Sequence, residues 1–457
     1  MRYLPQTPAD VERMLKVIGV RSVDELFTCI PEGLRHGRPL ELPEPLCEAE
    51  LLEELRAIGQ RNRFQSRDSG FLAFVGAGLY RHHIPSAVDA LSLRGEFATA
   101  YTPYQAELAQ GTLLSIFEFQ TMVAELLGME IANASMYDGA SAAAEGALMA
   151  RRLTGRSRVL VTDGVHPEYR ETCSTYLAGL EAEGHCLGRV PLDAEGKTDP
   201  RALAQGLDDT VACVVAQTPN FLGVVEDLTP VAEAAHRAGA LLVVVCTEPL
   251  ALALLKSPAE MGADIAAAEG ISLASPPNLG GPGVGLFAAS GKQAVRAMPG
   301  RLVGQTVDRD GRVGYVMTLT TREQHIRREK ATSNICTNTA LLALRFAIHL
   351  SLLGRTGFRQ LAELNLAKAS YARAAIGALP GYALRSPAPS FNEFAVRVPG
   401  GDAQALVARV RERADLVPGV ALGRFDRALA DTLLVSVTET HRRADLDRLI
   451  QALKEHA

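Results

Sequence analysis

Two acidic residues and a glycine-rich turn lie close together in the chain, between positions 240 and 285. The apolar, β-branched run Leu241–Cys246 predicts a buried strand, and the acidic Glu248 follows just after its end. Asp264 then opens an alanine-rich run, and the glycine-rich stretch 280–285 closes the segment. An acidic side chain in such a position can pair with the ring nitrogen of a bound cofactor. This segment is therefore the first place to look for cofactor chemistry.

The segment has the layout of a pyridoxal phosphate (PLP) site, but it lacks the lysine that PLP chemistry needs. PLP enzymes hold the cofactor as an imine on a lysine amine, with an acidic partner for the ring nitrogen. No lysine occurs between Lys256 and Lys292, so the expected lysine position holds Ile271, Ser272 or Leu273. Ser272 marks this position best, and a serine hydroxyl cannot form an imine.

Only seven of the 47 basic residues are lysines, which limits any other lysine-based mechanism to Lys16, Lys197, Lys256, Lys292, Lys330, Lys368 and Lys454. Lys330 is the strongest of these alternatives, because Thr332, Ser333 and Asn334 beside it could hold a phosphate. A free-standing PLP enzyme with an unusual lysine therefore stays open as an alternative, as does a non-catalytic scaffold.

Composition and charge indicate an ordinary soluble protein. The chain has 457 residues, is 47% hydrophobic and 22% charged, and carries a net charge of −5, which gives no reason to expect nucleic acid or an anionic membrane as a partner. The seven cysteines are scattered without paired spacing, and the N-terminus has no apolar stretch of signal-peptide length. We expect a cytoplasmic protein with reduced thiols.

The adjacent histidines His82 and His83 do not predict a metal site. Neighbouring residues on a strand point to opposite faces, and no further ligand follows at helical spacing.

Strands and helices alternate through the middle of the chain, which predicts an α/β fold with a mostly parallel sheet. The apolar runs Arg158–Thr162, Val211–Gln217 and Leu241–Cys246 are its clearest strands. Ligands of such sheets bind at the carboxyl ends of the strands, and Asn220 and Glu248 follow two of them. The predicted organisation is a helical arm (1–65), a large domain (66–338), and a connecting helix with a small C-terminal domain (339–457).

Two predicted helix starts carry more polar groups than capping requires. The first, near Pro103, is crowded with hydroxyl, amide and carboxylate groups: Tyr101, Thr102, Tyr104, Gln105 and Glu107. These residues could form a wall of a polar pocket, or only cap the helix and contact another subunit. The second start contains Asp138, Gly139 and Ser141. Small residues there let backbone N–H groups approach an anion, and the helix dipole favours a phosphate.

The chain resembles the P-protein family of the glycine cleavage system, and within it subunit 1 of the two-subunit bacterial form. The resemblance runs from residue 3 to about 440, and its most specific motifs are AYTPYQAE and SMYDGA. Further matching stretches are QTPNFLGVVED, GGPGVGLFA, REKATSNICTN and LLVSVTET.

The resemblance implies a fold-type-I PLP-transferase fold with a seven-stranded sheet, and a division of labour between two homologous subunits. The partner, subunit 2, would carry the PLP lysine, and two copies of each subunit would form a heterotetramer. Together they would decarboxylate glycine and pass its aminomethyl group to the lipoyl arm of H-protein. This chain would bind no cofactor covalently and hold no catalytic residue alone.

The resemblance also assigns expected roles to the polar residues. Residues expected to line an active site at the subunit interface are Tyr101, Thr102, Tyr104, Gln105, Glu107, Thr332, Ser333 and Asn334. Residues expected to form a relic cofactor pocket in this chain are Asp138, Gly139, Ser141, Asn220, Glu248 and Ser272. Glu248 is one methylene longer than the usual aspartate partner of the ring nitrogen.

Overall fold

The computed structural model describes residues 4–65, 70–99, 102–103, 105–180 and 186–456, and the chain divides into two compact units, residues 1–63 and 64–457. The first unit contains the helices α1 (Pro8–Ile18) and α2 (Glu48–Gly59). Thr7 caps α1, and Pro8 lies in its first turn. None of the described residues of this unit is buried, so the apolar faces of its helices are exposed.

The second unit contains all the strands of the described residues: β1 (Leu72–Ala73), β2 (Ile131–Ala132), β3 (Arg158–Thr162), β4 (Leu187–Val190), β5 (Val211–Gln217), β6 (Leu241–Cys246), β7 (Ile265–Glu269), β8 (Gly285–Ala289), β9 (Leu302–Val307), β10 (Val313–Thr318), β11 (Ala383–Leu384), β12 (Glu393–Arg397), β13 (Leu416–Val417), β14 (Val420–Ala421) and β15 (Thr432–Ser436).

The helices of this unit are α3 (Ser86–Ser92), α4 (Gly95–Ala98), α5 (Gln110–Leu127), α6 (Gly139–Thr154), α7 (Pro167–Ala178), α8 (Pro200–Gly206), α9 (Thr229–Arg237), α10 (Ile271–Ala274), α11 (Ala294–Ala297), α12 (Gln324–Arg327), α13 (Ala340–Gly377), α14 (Ala403–Ala414) and α15 (Arg443–Glu455).

A seven-stranded sheet, the large sheet, has the order β2-β8-β7-β6-β5-β3-β4. Strands β3 to β7 run parallel, and β8 is antiparallel to both β7 and β2. Every residue of β5, β7 and β8 is buried, because helices cover both faces. The predicted mostly parallel, seven-stranded sheet is confirmed.

A four-stranded antiparallel sheet, the small sheet, has the order β11-β12-β15-β14. The helices α13, α14 and α15 contribute buried residues to its hydrophobic core. The predicted domain limits at 65/66 and 338/339 stay a prediction, since residues 64–457 form one compact unit.

Helix α13 consists of two helical segments that meet at a kink at Gly354, where the backbone is not helical (φ 58°, ψ −179°). The predicted helix from about Thr339 to Leu352 matches the first segment, and the second segment continues to Gly377. Glycine adopts this positive φ at the kink without steric cost.

By length and composition alone, α13 is the one helix of the described residues that could cross a membrane. Its first half instead makes the contacts of a core helix. Phe346 is fully buried against Phe119, and the Arg345 guanidinium donates to the carbonyl of Ala274.

Helix α5 begins at Gln110, so the prediction of a helix start near Pro103 is wrong. Residues 106–108 form a turn instead. The Gln110 side-chain amide forms hydrogen bonds with both the N–H and the carbonyl of Tyr315, each 2.9 Å long, and these bonds fix the start of α5 against β10. The Gln120 side-chain amide likewise forms hydrogen bonds with the N–H and the carbonyl of Val303 in β9, each 2.9 Å long.

The Gln120→Leu variant is expected to lower the free energy of unfolding by about 1–3 kcal/mol, since it leaves two buried backbone groups of Val303 without this partner. Urea unfolding measures the loss. Thr121→Ala is the matched control, because the exposed Thr121 hydroxyl bonds only the carbonyl of Phe117 within the same helix. Equal stability of the two variants would contradict the prediction.

Candidate functional site

The carboxyl ends of β3, β6 and β7 are covered by residues 76–83, which we call the cross-sheet loop. This loop has neither helix nor strand, and Ala77 and Gly78 both have positive φ, 57° and 91°. The Nε2–H of His166, which follows β3, donates to the carbonyl of Ala77 at 2.9 Å. A Cβ on Gly78 would lie 3.1 Å from the His166 ring, so the loop backbone packs directly on that imidazole.

Ser272, at the expected lysine position, lies fully buried in α10, just after β7. Its hydroxyl accepts a hydrogen bond of 3.1 Å from the backbone N–H of Tyr80 in the cross-sheet loop. The Tyr80 hydroxyl in turn donates to Glu393 of the small sheet at 3.0 Å, and the other oxygen of Glu393 accepts from the N–H of Ala77 at 2.6 Å. Burial raises the pKa of Glu393 to about 7.

Glu248, at the expected position of the ring-nitrogen partner, is already paired with groups of this chain. Its Oε2 lies 3.0 Å from His82 Nε2 and accepts from the Asn392 amide at 2.8 Å. Its Oε1 accepts from the N–H of Leu250, which caps the short turn after β6. The carboxylate is 2% exposed and has no open side toward a ligand.

His82 forms a second ion pair with Glu439, which follows β15 of the small sheet; their Nδ1 and Oε2 are 2.8 Å apart. Burial by itself lowers the pKa of His82, but the carboxylates of Glu248 and Glu439 raise it to about 10. Burial likewise raises the pKa of Glu439, and the His82 imidazolium lowers it to about 2. The three side chains therefore form a buried cluster of one positive and two negative charges.

The start of α6, the expected phosphate cradle, is occupied by a carboxylate. Asp138 caps the helix through the N–H and hydroxyl of Ser141. The N–H of Gly139 donates to Oε2 of Glu269 at 2.9 Å. Asn220, the remaining member of the expected pocket, closes a turn: its amide bonds the N–H groups of Leu222 and Val224 and the carbonyl of Gly196.

These contacts test whether PLP fits this chain's own site, and it does not. Ser272 supplies no amine, the Gly139 N–H is taken by Glu269, and Glu248 is taken by His82 and Asn392. The structure thus places the six expected pocket residues at strand ends and one helix start, each satisfied by groups of the same chain. That they are the relic of an older cofactor pocket stays a prediction.

The residues expected to line an interface lie apart from this network. Tyr101 and Tyr104 lie outside the described residues. The buried hydroxyl of Thr102 has no hydrogen-bond partner among the described residues, while Gln105 and Glu107 are exposed around the turn before α5.

The second group of expected lining residues precedes α13. The N–H of Thr332 donates to the Arg322 carbonyl, and the Ser333 hydroxyl accepts from the N–H of Ile335. Asn334 is exposed. A hydrogen bond from Ser333 also lowers the pKa of Glu145, although burial, the larger effect, raises it.

None of the seven lysines lies at the expected imine position. Lys16, Lys292, Lys330 and Lys454 are exposed, and Lys197 and Lys256 pair with acidic residues at the surface. Lys368 is half-buried, with its ammonium bonded to the carbonyls of Glu439 and His441. The part of the chain that the structure describes contains no metal-binding cluster.

Sequence reasoning missed the contacts of the cross-sheet loop with Glu393 and Glu439, and the contact of Glu269 with the start of α6. Glycines and histidines in the loop were visible, but the contacts join residues 130 to 357 positions apart. The one available signal was Glu269 itself, a charged residue at the end of an otherwise apolar strand.

The family model described as "Glycine cleavage system P-protein" matches residues 1–453. A relative from Sorangium cellulosum, "Probable glycine dehydrogenase (decarboxylating) subunit 1", is 52% identical over 99% of both chains. A relative of the same name from Caulobacter vibrioides is 50% identical, again over 99% of both.

Among solved structures, a glycine decarboxylase (P-protein) of the glycine cleavage system in inhibitor-bound form matches with a TM-score of 0.87 and 45% identity over all of both chains. A sphingosine-1-phosphate lyase from Burkholderia pseudomallei matches with a TM-score of 0.66 and 18% identity, over 93% of this chain and 94% of the lyase. The last likeness concerns the fold alone.

Proposed function

This chain belongs to the glycine cleavage system P-protein family, and on that premise we propose that it is the cofactor-free subunit of a two-subunit glycine decarboxylase. A homologous partner subunit carries PLP on its own lysine. The assembled pair decarboxylates glycine and transfers the aminomethyl group to the lipoyl arm of H-protein. PLP, when bound in the partner, supplies the electron sink for the decarboxylation.

The observation that carries this proposal is Ser272 at the expected lysine position, buried and bonded to the Tyr80 N–H, in a chain that matches "subunit 1" relatives over nearly its full length. A family member with no amine at this position, and with Glu248 and Gly139 already paired, needs another chain for the chemistry. The word "subunit" in the relatives' names supports such a partner.

The role of this chain in the pair is to complete an active site at the interface. The polar residues 101–107 and 332–334 are the proposed lining. The buried hydroxyl of Thr102, which has no hydrogen-bond partner within the described part of the chain, supports this assignment, since an unsatisfied buried donor is costly unless a further group reaches it. Two copies of each subunit, in the cytoplasm, complete the proposal.

Reconstitution tests the proposed function. The purified chain, with PLP and lipoylated H-protein, is expected to release no CO2 from glycine labelled at the carboxyl carbon. Release is expected when the PLP-carrying partner is added, and is expected to fall at least about 100-fold when this chain is left out. Full activity of the partner alone would contradict the proposal.

A chemical test addresses the free-standing alternative. Borohydride reduces an imine between PLP and a lysine to a stable pyridoxyl-lysine. We expect no labelled peptide from this chain after incubation with PLP and reduction, whereas the partner should yield one. A pyridoxyl-lysine on any of the seven lysines would refute the cofactor-free role.

The interface lining is tested separately in the reconstituted complex. Tyr104→Phe and Gln105→Ala are each expected to lower kcat/KM for glycine about tenfold, while the subunits still co-purify. Gln451→Ala, on the exposed side of α15, is the matched control. Unchanged decarboxylation in both test variants would leave these residues a structural role only.

A further inference from the structure

We propose that a cavity between the ends of strands β3 and β4 and the small sheet binds a small organic molecule with two acidic groups. The cavity, which we call the arginine cavity, has a volume of about 370 Å³ and is lined by Arg170, Arg189, Arg385 and Arg397. Small-molecule sites in proteins usually have volumes of roughly 300–1,000 Å³. The proposal goes beyond the proposed function, because it gives this chain a ligand site of its own.

The arginine cavity lies at the edge of the large sheet where α/β proteins usually bind their ligands. Asp163 directly follows β3 and Pro191 directly follows β4, and both line the cavity. Ligands of open parallel sheets bind beyond the carboxyl ends of the strands. The cross-sheet loop covers this edge at β6 and β7, whereas the cavity leaves space beside β4, the outermost strand.

The four guanidinium groups come from both sides of the cavity. Arg170 of α7 and Arg189 of β4 lie on the side of the large sheet, whereas Arg385 follows β11 and Arg397 ends β12 of the small sheet. Arg170 and Arg385, the inner pair, have side chains that are 21% and 23% exposed, while the other two are more than half exposed at the rim. A ligand with an acidic group at each end therefore matches one inner arginine on each side.

Each inner arginine uses only one of its three side-chain nitrogens within the described part of the chain. Arg170 Nη1 donates to the carbonyl and the carboxylate of Asp163, at 3.1 and 3.2 Å. Arg385 Nη1 donates to the Thr432 hydroxyl at 3.1 Å and lies 3.6 Å from Asp431. None of the remaining nitrogens of the pair is a fully buried atom. They are therefore accessible donors, in the planar fork that suits a carboxylate or a phosphate.

The aspartates around the cavity do not fully compensate the inner arginines. Asp193 and Asp426 line it, but they accept hydrogen bonds from backbone N–H groups of their own turns, and neither forms an ion pair with the described arginines. Burial, the largest effect, lowers the pKa of both Arg170 and Arg385, although neighbouring aspartates raise it. The charged form of each inner arginine is thus less stable than in water, and a bound anion would offset this loss.

Part of the cavity wall is apolar. Phe221 and Phe425 line the cavity and pack edge to face, with their ring centroids 5.3 Å apart. Ligand sites typically combine such apolar walls with a few charged groups that fix the orientation of the ligand. The wall favours a ligand with a carbon skeleton between its two acidic groups over an inorganic anion.

Isothermal titration calorimetry of the full chain tests the proposal, with succinate and phosphoglycolate as the probes. Succinate carries two carboxylates, and phosphoglycolate has a phosphate in place of one of them, so the two titrations distinguish the acidic groups. At low ionic strength we expect one saturable site with a Kd below about 1 mM for at least one probe. Acetate, which has a single acidic group, should bind at least about tenfold more weakly. The absence of saturable binding of both probes would overturn the proposal.

Substitutions then locate the site. Arg170→Gln and Arg385→Gln are each expected to raise the Kd about tenfold, because each removes one charged donor. Asp426→Asn is expected to lower the Kd about threefold, since asparagine keeps the cap on Ala428 but removes a negative charge that acts on both inner arginines. Arg237→Gln, on the exposed side of α9, is the matched control and should leave the Kd unchanged.

A rim variant keeps the test decisive if an inner variant does not fold. Arg397 is exposed and makes one long ion pair, 3.7 Å from Asp431, so Arg397→Gln should fold normally and raise the Kd about threefold. A Kd that is unchanged in the arginine variants, or raised in Asp426→Asn, would place the anion outside the arginine cavity and overturn the proposal. The titration needs neither glycine nor the partner subunit, so its outcome is separate from that of the reconstitution.

Discussion

The His82→Gln variant is expected to lose about 3–5 kcal/mol of unfolding free energy at pH 7, because it leaves two buried carboxylates without their shared cation. His82 lies between Glu248 and Glu439, 3.0 and 2.8 Å away, and its side chain is fully buried. The surrounding neutral partners, Asn392 and Asn365, cannot replace the charge. Urea unfolding of the isolated chain measures the loss.

The difference in unfolding free energy between the wild type and His82→Gln is also expected to depend on pH. His82 has a folded-state pKa of about 10, above its ordinary value of 6.5. The stability that protonated His82 contributes to the folded state is therefore fully present below pH 6.5 and is lost as the pH rises through about 10. The stability gap between wild type and His82→Gln should shrink from pH 7 to pH 10, and a constant gap would contradict the charged cluster.

The exposed His36 provides the control for this measurement. His36→Gln should keep both the unfolding free energy of the wild type and its dependence on pH between 7 and 10, since no buried carboxylate would lose its cation. A similar slope change in both variants would point to a general effect of histidine content rather than to the cluster.

The Gly76→Ala variant is expected to lose at least about 3 kcal/mol, because its new methyl group has no space. The Cβ would meet the Oε1 atom of Glu393 and lie 2.6 Å from Ser436 Cβ. This clash is removed only if the small sheet or the cross-sheet loop moves, and either movement breaks the hydrogen bond from the Ala77 N–H to Glu393.

Gly111→Ala is the matched control for this substitution. Gly111 lies in α5 with nothing within 4 Å of the added Cβ, so alanine should raise the stability by up to about 1 kcal/mol through its better helix propensity. Opposite signs for the two glycine-to-alanine changes, measured by urea unfolding, are the expected result. A stable Gly76→Ala protein would show that the loop does not pack as described.

The sequence predicts the core of the large sheet well, because local pattern and burial agree there. The runs Arg158–Thr162, Val211–Gln217 and Leu241–Cys246 coincide with β3, β5 and β6 residue for residue. Strands buried on both faces are largely continuous in apolar residues, and a polar residue follows each of these three. No distant contact is needed to locate such strands.

The failures occur where distant contacts decide the local structure. Helix α5 begins seven residues later than Pro103 suggests, since the Gln110 side chain is bound to Tyr315 in a hairpin 205 positions away. Helix α13, by contrast, matches its predicted range up to the kink at Gly354, and the buried residues of its second segment pack on the small sheet. At the start of α5, local propensity is overridden by packing.

The candidate site also combines features that the local sequence predicts with features that only distant contacts determine. The missing amine at Ser272 is readable from the sequence, because it is the absence of a residue type at a position. The pairing of Glu248 with His82 is not readable, since 166 positions separate them and either residue alone fits a surface role. Glu269 was overlooked for the same reason, although its partner Gly139 was singled out.

The cross-sheet loop also bears on amide hydrogen exchange. Irregular segments commonly exchange their amide protons by small local openings. In this loop, however, the N–H groups of Ala77, Tyr80 and His83 donate to Glu393, Ser272 and Glu439, which belong to or follow strands of both sheets. Because the loop is bonded to residues of both sheets, we expect these protons to be released when the large and small sheets separate. Their slow exchange would therefore report the joint opening of the two sheets, from a segment with no regular secondary structure.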